Sequence, residues 1–427
     1  MTTTAPDAAT SPQTSDEYSI PDPGPTDAEL SEIFQPAFDH IATGAADRDA
    51  NRELPTEAIR LLRERGFGRL RVPKDLGGYG ATLRQTFSLL TDLAVADSNI
   101  TQALRVHFYS VEAAVLGAHS EDETVAAGAR DTLRKVSSGV LFGNAISEKG
   151  HGAVDRYQTT LTPDPENEGS YLLNGTKYYS TGSLFSDVIS VSADLDGERV
   201  AVNVPVDDPG VQQIDDWDGF GQRLTGSGST VFSEVKVSAD QVAPGGYGTE
   251  GRQPDTSFLQ LFHLVALAGI ARRAADDVRD RVASRERTYT HAPADLPRED
   301  PLVQAALGRV YSAAFTARAT ALAVADRVDE AFGGTDEQVD DAELAASEAQ
   351  VSLIPLVLDA VNEIFETGGA SIVSDKLNLD RHWRNARTLA VHNPAIYKQQ
   401  AIGRYALDGD GTALPYAWSA GVRDGNV

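Results

Sequence analysis

Apolar residues recur along this chain at two different spacings, and the spacing changes twice. From Thr26 onward Leu30, Ile33 and Phe34 share one helical face, which Phe38 and Ile41 continue. Pro55 opens a second helix with Ile59, Leu61 and Leu62 on its apolar side, and Gly66 and Gly68 end it. A glycine-rich loop follows over residues 72–80, and helices are predicted over Leu83–Ala96 and Ile100–Leu116. Asp97, Ser98 and Asn99 serve as cap residues between those two. After about Gly139 the period shortens to that of strands. Val188–Ala193, Val200–Val206 and Val231–Val237 are strand-like, and Asn174–Gly175 signals a hairpin turn. Helical period returns with Phe258, Phe262, Val265 and Gly269. Long helices are predicted over Leu302–Ala331, Ala342–Thr367 and much of Leu377–Tyr405, with Pro355 expected to kink or break the second. Ala305, Ala306, Ala313 and Ala314 point to close helix packing.

The pattern divides the chain into five parts. Residues 1–25 form a polar, proline-rich tail, 26–138 a helical domain, 139–255 a small β domain, 256–407 a helical bundle, and 408–427 a second tail. The tail carries Leu414, Tyr416 and Trp418, so it is either loose or packed back on the body. The fold class is α+β.

Composition narrows the function. The 427 residues carry a formal charge of −26, which opposes nucleic acid as a partner. Cysteine is absent, so disulfides, thiolate catalysis and thiolate metal sites are excluded. No run of membrane-spanning length and no signal-like N-terminus is evident, and the chain reads as cytoplasmic.

Chemistry concentrates between Leu379 and Pro394. His382, Arg384, Asn385, Arg387, His392 and Asn393 fall there, with Leu377, Trp383, Leu389 and Val391 supplying an apolar side. Paired glycines in the preceding Glu366–Ser371 stretch break the helical pattern. The stretch is expected to pack on a core and turn its charged groups toward a cleft; a solvated surface helix is the alternative. His107 is either a satisfied core histidine or a group that exchanges protons near neutral pH. Asn144 and Ser147 lie where the chain leaves the helical domain, as cofactor-edge or ordinary turn residues. Tyr178, Tyr179, Ser180 and Thr181 form a polar aromatic cluster suited to stacking on a planar ring, and Arg287 could meet a phosphate. His151, His263 and His291 show no ligand spacing, so no metal is expected, and no GxSxG is present. Phe108, Phe258, Phe262 and Trp418 would suit an apolar substrate if they line the pocket.

From about Thr26 to Tyr405 the chain resembles the acyl-CoA dehydrogenase superfamily. The resemblance rests on Val72–Pro73 with Gly77–Gly78–Tyr79–Gly80, on Ala145–Ile146–Ser147–Glu148, on Asn174–Gly175–Thr176–Lys177 followed by Tyr179–Ser180–Thr181–Gly182, on residues 219–227 and on Gln304–Gly308. Within it, residues 381–388 with Val391–His392–Asn393–Pro394 are more similar to the flavin-dependent monooxygenase branch, which includes dibenzothiophene monooxygenase. Dehydrogenases of this fold usually carry a catalytic glutamate near here, where this chain has His392–Asn393–Pro394. The resemblance implies an N-terminal helical domain, a β-barrel-like middle domain and a C-terminal four-helix bundle, assembled as a homotetramer. It implies a two-component enzyme: an NAD(P)H-dependent flavin reductase supplies reduced FMN, and O2 gives a C4a-hydroperoxyflavin that oxygenates a small apolar or aromatic substrate, foremost an organosulfur compound. An FAD-dependent acyl-CoA dehydrogenase, or an N- or aromatic C-hydroxylase of the same branch, stays open. By the same resemblance His107 and His392 would flank the flavin's reactive edge with Ser180 as a third donor. Asn144, Ser147, Tyr179 and Trp217 would surround the ring, and Arg287 would hold the phosphate. Gly368, Gly369 and Ser371 would reach the cofactor from a neighbouring subunit.

Overall fold

The computed structural model describes residues 24–149, 157–244 and 254–409, together with residues 411 and 414. The expected tail thus lies outside the described residues up to position 23, as do His151, Tyr416, Trp418 and most of the C-terminal tail.

Among the described residues six α-helices come first: α1 (Asp27–Thr43), α2 (Ala45–Asn51), α3 (Thr56–Glu64), α4 (Leu83–Ala103), α5 (Arg105–Gly117) and α6 (Glu123–Ser137). Thr26 with Glu29 and Thr82 with Gln85 form capping boxes that start α1 and α4. Asp97, expected as a cap between two helices, is the one non-helical residue inside α4, at φ −160°. Its Oδ1 accepts from Asn99 N at 3.1 Å and so caps the turn that follows.

One sheet of eight strands follows: β1 (Phe142–Ala145), β2 (Thr160–Pro163), β3 (Ser170–Lys177), β4 (Val188–Leu195), β5 (Glu198–Pro205), β6 (Val211–Ile214), β7 (Ser229–Ser238) and β8 (Val242–Pro244). Its order is β6-β7-β3-β2-β4-β5-β8, with β1 pairing β4 in parallel. The expected hairpin turn at Asn174–Gly175 is not there. Both residues sit inside β3 at a register shift, paired with β2 and β7. Gly175 has φ +151°, and a Cβ on it would lie 2.4 Å from Thr159 Oγ1, so glycine is needed at this close approach, while the bulge itself is in β7, where Ser233 and Glu234 stand opposite Asn174 alone. Asn174 Oδ1 accepts from Glu234 N at 2.9 Å and closes the gap in the ladder.

The last five helices are α7 (Asp255–Ser284), α8 (Pro301–Ala331), α9 (Asp336–Glu363), α10 (Asp380–Ala390) and α11 (Ala395–Asp408). Helices α7, α8 and α9 pack on one another, α10 and α11 complete the bundle, and α4 packs along α7. At the α4–α7 crossing a Cβ on Gly269 would fall 2.4 Å from Ala94 Cβ, so glycine sets how closely the helices approach. Pro355 neither breaks nor ends α9, which runs through it. The single predicted helix over Leu377–Tyr405 is two, parted at Val391–Pro394. Among the described residues two helices are apolar and long enough to cross a membrane, contrary to expectation: α7 and the stretch Asp336–Thr367. The apolar window of α7 is 89% buried inside the protein and that of the second is 50% buried, because these faces form the bundle core.

Candidate active site

A cleft of about 700 Å³ opens where the sheet, α4–α5 and the bundle meet. That is within the usual range for a small-molecule site. One wall comes from the sheet: Asn144 at the end of β1, Ser147 just beyond it, and Tyr179 and Thr181 after β3. Tyr179 holds φ +62°, an uncommon conformation for an aromatic residue, and its ring stands 4.7 Å from Tyr178 and 5.9 Å from Trp217. Trp217 lines the cleft and donates from Nε1 to Gly221 O at 3.2 Å. Beside these rings the lining carries a chain of hydroxyls. Thr181 Oγ1 and Ser227 Oγ are 2.8 Å apart, Ser227 and Thr225 2.6 Å, and Thr225 donates to Gln222 O at 3.0 Å.

The opposite wall is polar and helical. Gln102 and Arg105 come from the α4–α5 junction, Gln260 from α7, and His392 and Asn393 from the break before α11. Arg105 NH1 lies 3.1 Å from His263 Nε2, just behind the wall. A guanidinium only donates, so Nε2 accepts and the proton of the neutral ring sits on Nδ1. Nδ1 faces Gln260 Oε1 at 3.3 Å, and Asn393 Nδ2 donates to the same oxygen at 2.6 Å. Asn393 Oδ1 is then the acceptor facing His392 Nδ1 at 3.1 Å. One fixed cation therefore sets the tautomer of His392: Nδ1 carries the proton and Nε2 keeps its lone pair. Burial, together with His392 and Arg105, keeps the His263 pKa well down. Surrounding protein and the same guanidinium also lower that of His392, which opens to the cleft.

Of the residues singled out in the sequence, Asn144, Ser147, Tyr179, Trp217 and His392 line the cleft. His107 does not. It is fully buried, its Nε2 donates to Gly68 O at 2.8 Å, and its Nδ1 accepts from Phe142 N at 3.3 Å. Both nitrogens are spent on backbone, tying α5 to the loop after α3 and to β1, and burial pushes its pKa down to about 4. Ser180 is buried behind the wall, its Oγ without a partner. Arg287, Gly368, Gly369 and Ser371 lie off the cleft, around the C-terminal end of α7, where Arg281 reaches Ser371 Oγ at 3.4 Å and Arg285 reaches Thr367 O at 3.3 Å. Phe108, Phe258 and Phe262 do not line the cleft either. They pack with Phe87 in the core, with ring centroids 5.0 to 6.1 Å apart.

Most of the charged stretch before Pro394 also turns away from the cleft. His382 Nε2 lies 2.9 Å from Asp277 Oδ2 on α7, which Arg381 also engages. Arg384 bridges to Asp49 of α2 at 2.7 Å, and Asn385 Oδ1 accepts from Gln222 N at 2.7 Å. These groups staple α10 to the helices and to the loop before β7, leaving Thr388, Leu389 and residues 391–394 to form the wall. Sequence reasoning passed over Gln102, Arg105, Gln260, Thr225 and Ser227. Gln260 and His263, three apart within the apolar run Phe258–Leu267, were the available signal.

The sequence matches the acyl-CoA dehydrogenase N-terminal domain family over residues 32–124 and the corresponding C-terminal domain family over residues 261–395. It is 28% identical over 383 residues to a dibenzothiophene monooxygenase of Rhodococcus qingshengii, covering 86% of this chain and 90% of that protein. It is 27% identical over 377 residues to the probable FMNH2-dependent monooxygenase SfnC of Pseudomonas putida, covering 86% and 92%. Among solved structures, FMN-bound TdsC from Paenibacillus sp. A11-2 superposes with a TM-score of 0.80 at 28% identity, over 92% of this chain and 99% of that one.

Proposed function

The chain belongs to the acyl-CoA dehydrogenase family, on its flavin-dependent monooxygenase branch, and from that premise we propose that it oxygenates a small organosulfur compound with reduced FMN and O2. The observation that carries the choice within the family is the absence of any Asp or Glu among the described residues lining the cleft. Dehydrogenation of an acyl thioester needs a base for the α-proton, and carboxylates are the usual choice in this fold. Here the lining offers amides, hydroxyls, rings and a neutral histidine instead.

The residues fit a flavin. Asn144 Oδ1, Gln222 Oε1 and Gln102 Oε1 are buried at the cleft without a protein partner. Each such group costs ~1–3 kcal/mol until a ligand satisfies it. A flat ring system with N–H groups supplies what these acceptors lack, and Tyr179 and Trp217 offer faces to pack on it. Bound reduced FMN would supply the activation of O2, one oxygen atom going to sulfur and the other to water.

The protein's own part is to orient, shield and manage protons. Asn144 and Gln222 would fix the ring, and Tyr179 with Trp217 would keep water from one face. His392 Nε2, a lone pair at the cleft wall, would accept the proton that oxygen transfer leaves behind. Asn393 and Gln260 hold that ring in place. Arg287, Gly368, Gly369 and Ser371 would serve the phosphate end of a cofactor in a neighbouring copy of a homotetramer. Exposed Leu302, Phe315, Ile396 and Tyr397 support assembly through the helical half. An NAD(P)H-dependent reductase would supply the reduced flavin.

The test mixes purified protein with reduced FMN anaerobically, then with oxygenated buffer and dibenzothiophene or a smaller sulfide. An oxygen-dependent absorbance transient that the sulfide shortens, with sulfoxide as product, is the expected result. Tightly held FAD reduced by an acyl-CoA would sink the reading in favour of a dehydrogenase.

A further inference from the structure

The wall that carries His392 is held differently at its two ends. On one side α10 is stapled to α2 and α7 through Arg384 and His382. On the other, α11 begins directly after Pro394 and packs on α9, yet of its residues only Lys398 and Ala401 are buried. The facing side of α9 is polar: Glu343, Ser347 and Gln350 are buried at helical spacing, and Glu343 stands 4.0 Å from Lys398. Apolar burial is non-directional and small here, so hydrogen bonds decide where the wall sits. Gln350 supplies one at the wall itself. It does not line the cleft, and its Nε2 donates to the backbone oxygen of Asn393 at 3.0 Å. A carbonyl oxygen only accepts, which turns the NH2 of this amide toward the wall. Asn393 is buried and gripped from two helices, its backbone by Gln350 of α9 and its Nδ2 by Gln260 of α7 at 2.6 Å. With both ends set, its Oδ1 faces His392 Nδ1 at 3.1 Å.

We propose that Gln350 is a positioning residue, which holds the Asn393 backbone so that Asn393 Oδ1 meets His392 Nδ1 and His392 Nε2 is presented to the cleft. The role of His392 as proton acceptor rests on the monooxygenase reading; its placement by Gln350 does not. Without the Gln350 donor, Asn393 stays tethered through its side chain to Gln260, and the turn at 391–394 is free to swing about that tether. His392 then loses its fixed acceptor, and both tautomers of the ring become open to it. A displacement of about 1 Å costs a reaction on the order of 100-fold, so a residue outside the cleft governs chemistry inside it.

The experiment uses the full chain and Gln350→Met, which keeps the side-chain length and removes the donor. Ser347→Ala, a change in the same buried seam that leaves the wall bond in place, is the control. Nitrogen-15 NMR of histidine-labelled, flavin-free protein reads the His392 ring, identified by its loss in His392→Ala. One tautomer, protonated at Nδ1, is expected in the natural protein and in Ser347→Ala. In Gln350→Met the two ring nitrogens should move toward each other as both tautomers populate. With reduced FMN, O2 and dibenzothiophene, Gln350→Met should lower product per O2 consumed about 10-fold, with KM and FMN affinity within about twofold of the natural protein. The same change made in His392→Ala should cost nothing more, because its effect runs through that ring. A His392 ring unmoved by Gln350→Met, or moved equally by Ser347→Ala, would overturn the proposal. So would mixed tautomers in the natural protein, a result that needs no variant to fold, or additive losses in the double variant. A His392 ring moved by Gln350→Met, with no oxygenation by the natural protein, would remove the monooxygenase reading and leave Gln350 as the residue that places His392.

Discussion

At the scale of single residues, the cleft is governed by which atoms lack partners. His392 has its Nδ1 proton tied to Asn393 and its Nε2 available. Replacing it with alanine should leave FMN affinity intact while product per O2 consumed falls at least ~10-fold, in line with loss of one proton-transfer group. Coupled assays of oxygen uptake and product check this, and unchanged coupling would remove His392 from the chemistry. Ser180 Oγ is buried without a protein partner and without a place on the wall. If it has no role toward the ring, Ser180→Ala should raise thermal stability slightly and leave flavin binding unchanged. A drop in FMN affinity would place it in contact with the cofactor. Asn144→Ala, on the wall itself, should weaken FMN by at least ~10-fold with little change in the melting temperature of the flavin-free protein.

At the scale of elements, α10 acts mainly as a staple. Asp277 on α7 receives His382 and Arg381 from α10 and Arg273 from its own helix. Burial alone would raise its pKa; the hydrogen bond from His382 and the two guanidinium charges outweigh that and hold it well below the carboxylate range. Removing this acceptor strands two buried donors. Asp277→Ala should therefore cost ~3–5 kcal/mol of unfolding free energy by denaturant titration, against ~1 kcal/mol or less for an exposed pair such as Arg60–Glu57. The cleft wall at residues 391–394 begins where α10 ends, so the same variant should weaken substrate and flavin binding together.

At the scale of the molecule, buried neutral histidines make the fold acid-sensitive. His107 and His382 each have their pKa pushed down to about 4, burial being the first cause in both, and His263 is also well depressed. Between pH 6.5 and 4 the unfolded chain binds protons at these rings and the folded protein does not. Stability therefore rises with pH in that window and is lost as pH falls through it. For His107 the loss by pH 4 is on the order of 3 kcal/mol, with a slope of at most ~1.4 kcal/mol per pH unit. Buried Glu343, beside Lys398, has its pKa raised and works in the opposite direction, so the clean comparison is between variants. Unfolding free energies of the natural protein and of His107→Gln, measured from pH 7.5 to 4.5, should converge as the pH falls. Parallel curves would contradict the assignment of His107 as a buried neutral group.

The alternation of helical and strand spacing by itself determined the order helix, sheet, bundle, because burying one face of an element imposes its period on the sequence whatever the element packs against. Asp97 was legible as a capping residue because its partner, Asn99, lies two residues away. Local signals failed where a distant neighbour decided the outcome. Asn174–Gly175 reads as a turn, yet pairing with β2 and β7 keeps it inside a strand, opposite a bulge in β7. His107 reads as either a core histidine or a site group, and Phe108, Phe258 and Phe262 as pocket lining only if they reach it; packing decided for the core in each case. The charged run before Pro394 reads as a cleft face, but Asp277 and Asp49, which lie 105 and 335 residues away from His382 and Arg384, drew it inward. Sequence spacing cannot report which side of a wall a side chain faces. Only the tertiary structure set Arg105, Gln260 and His263 beside His392, since hydrogen bonding and charge act through a few ångströms of space and not along the chain.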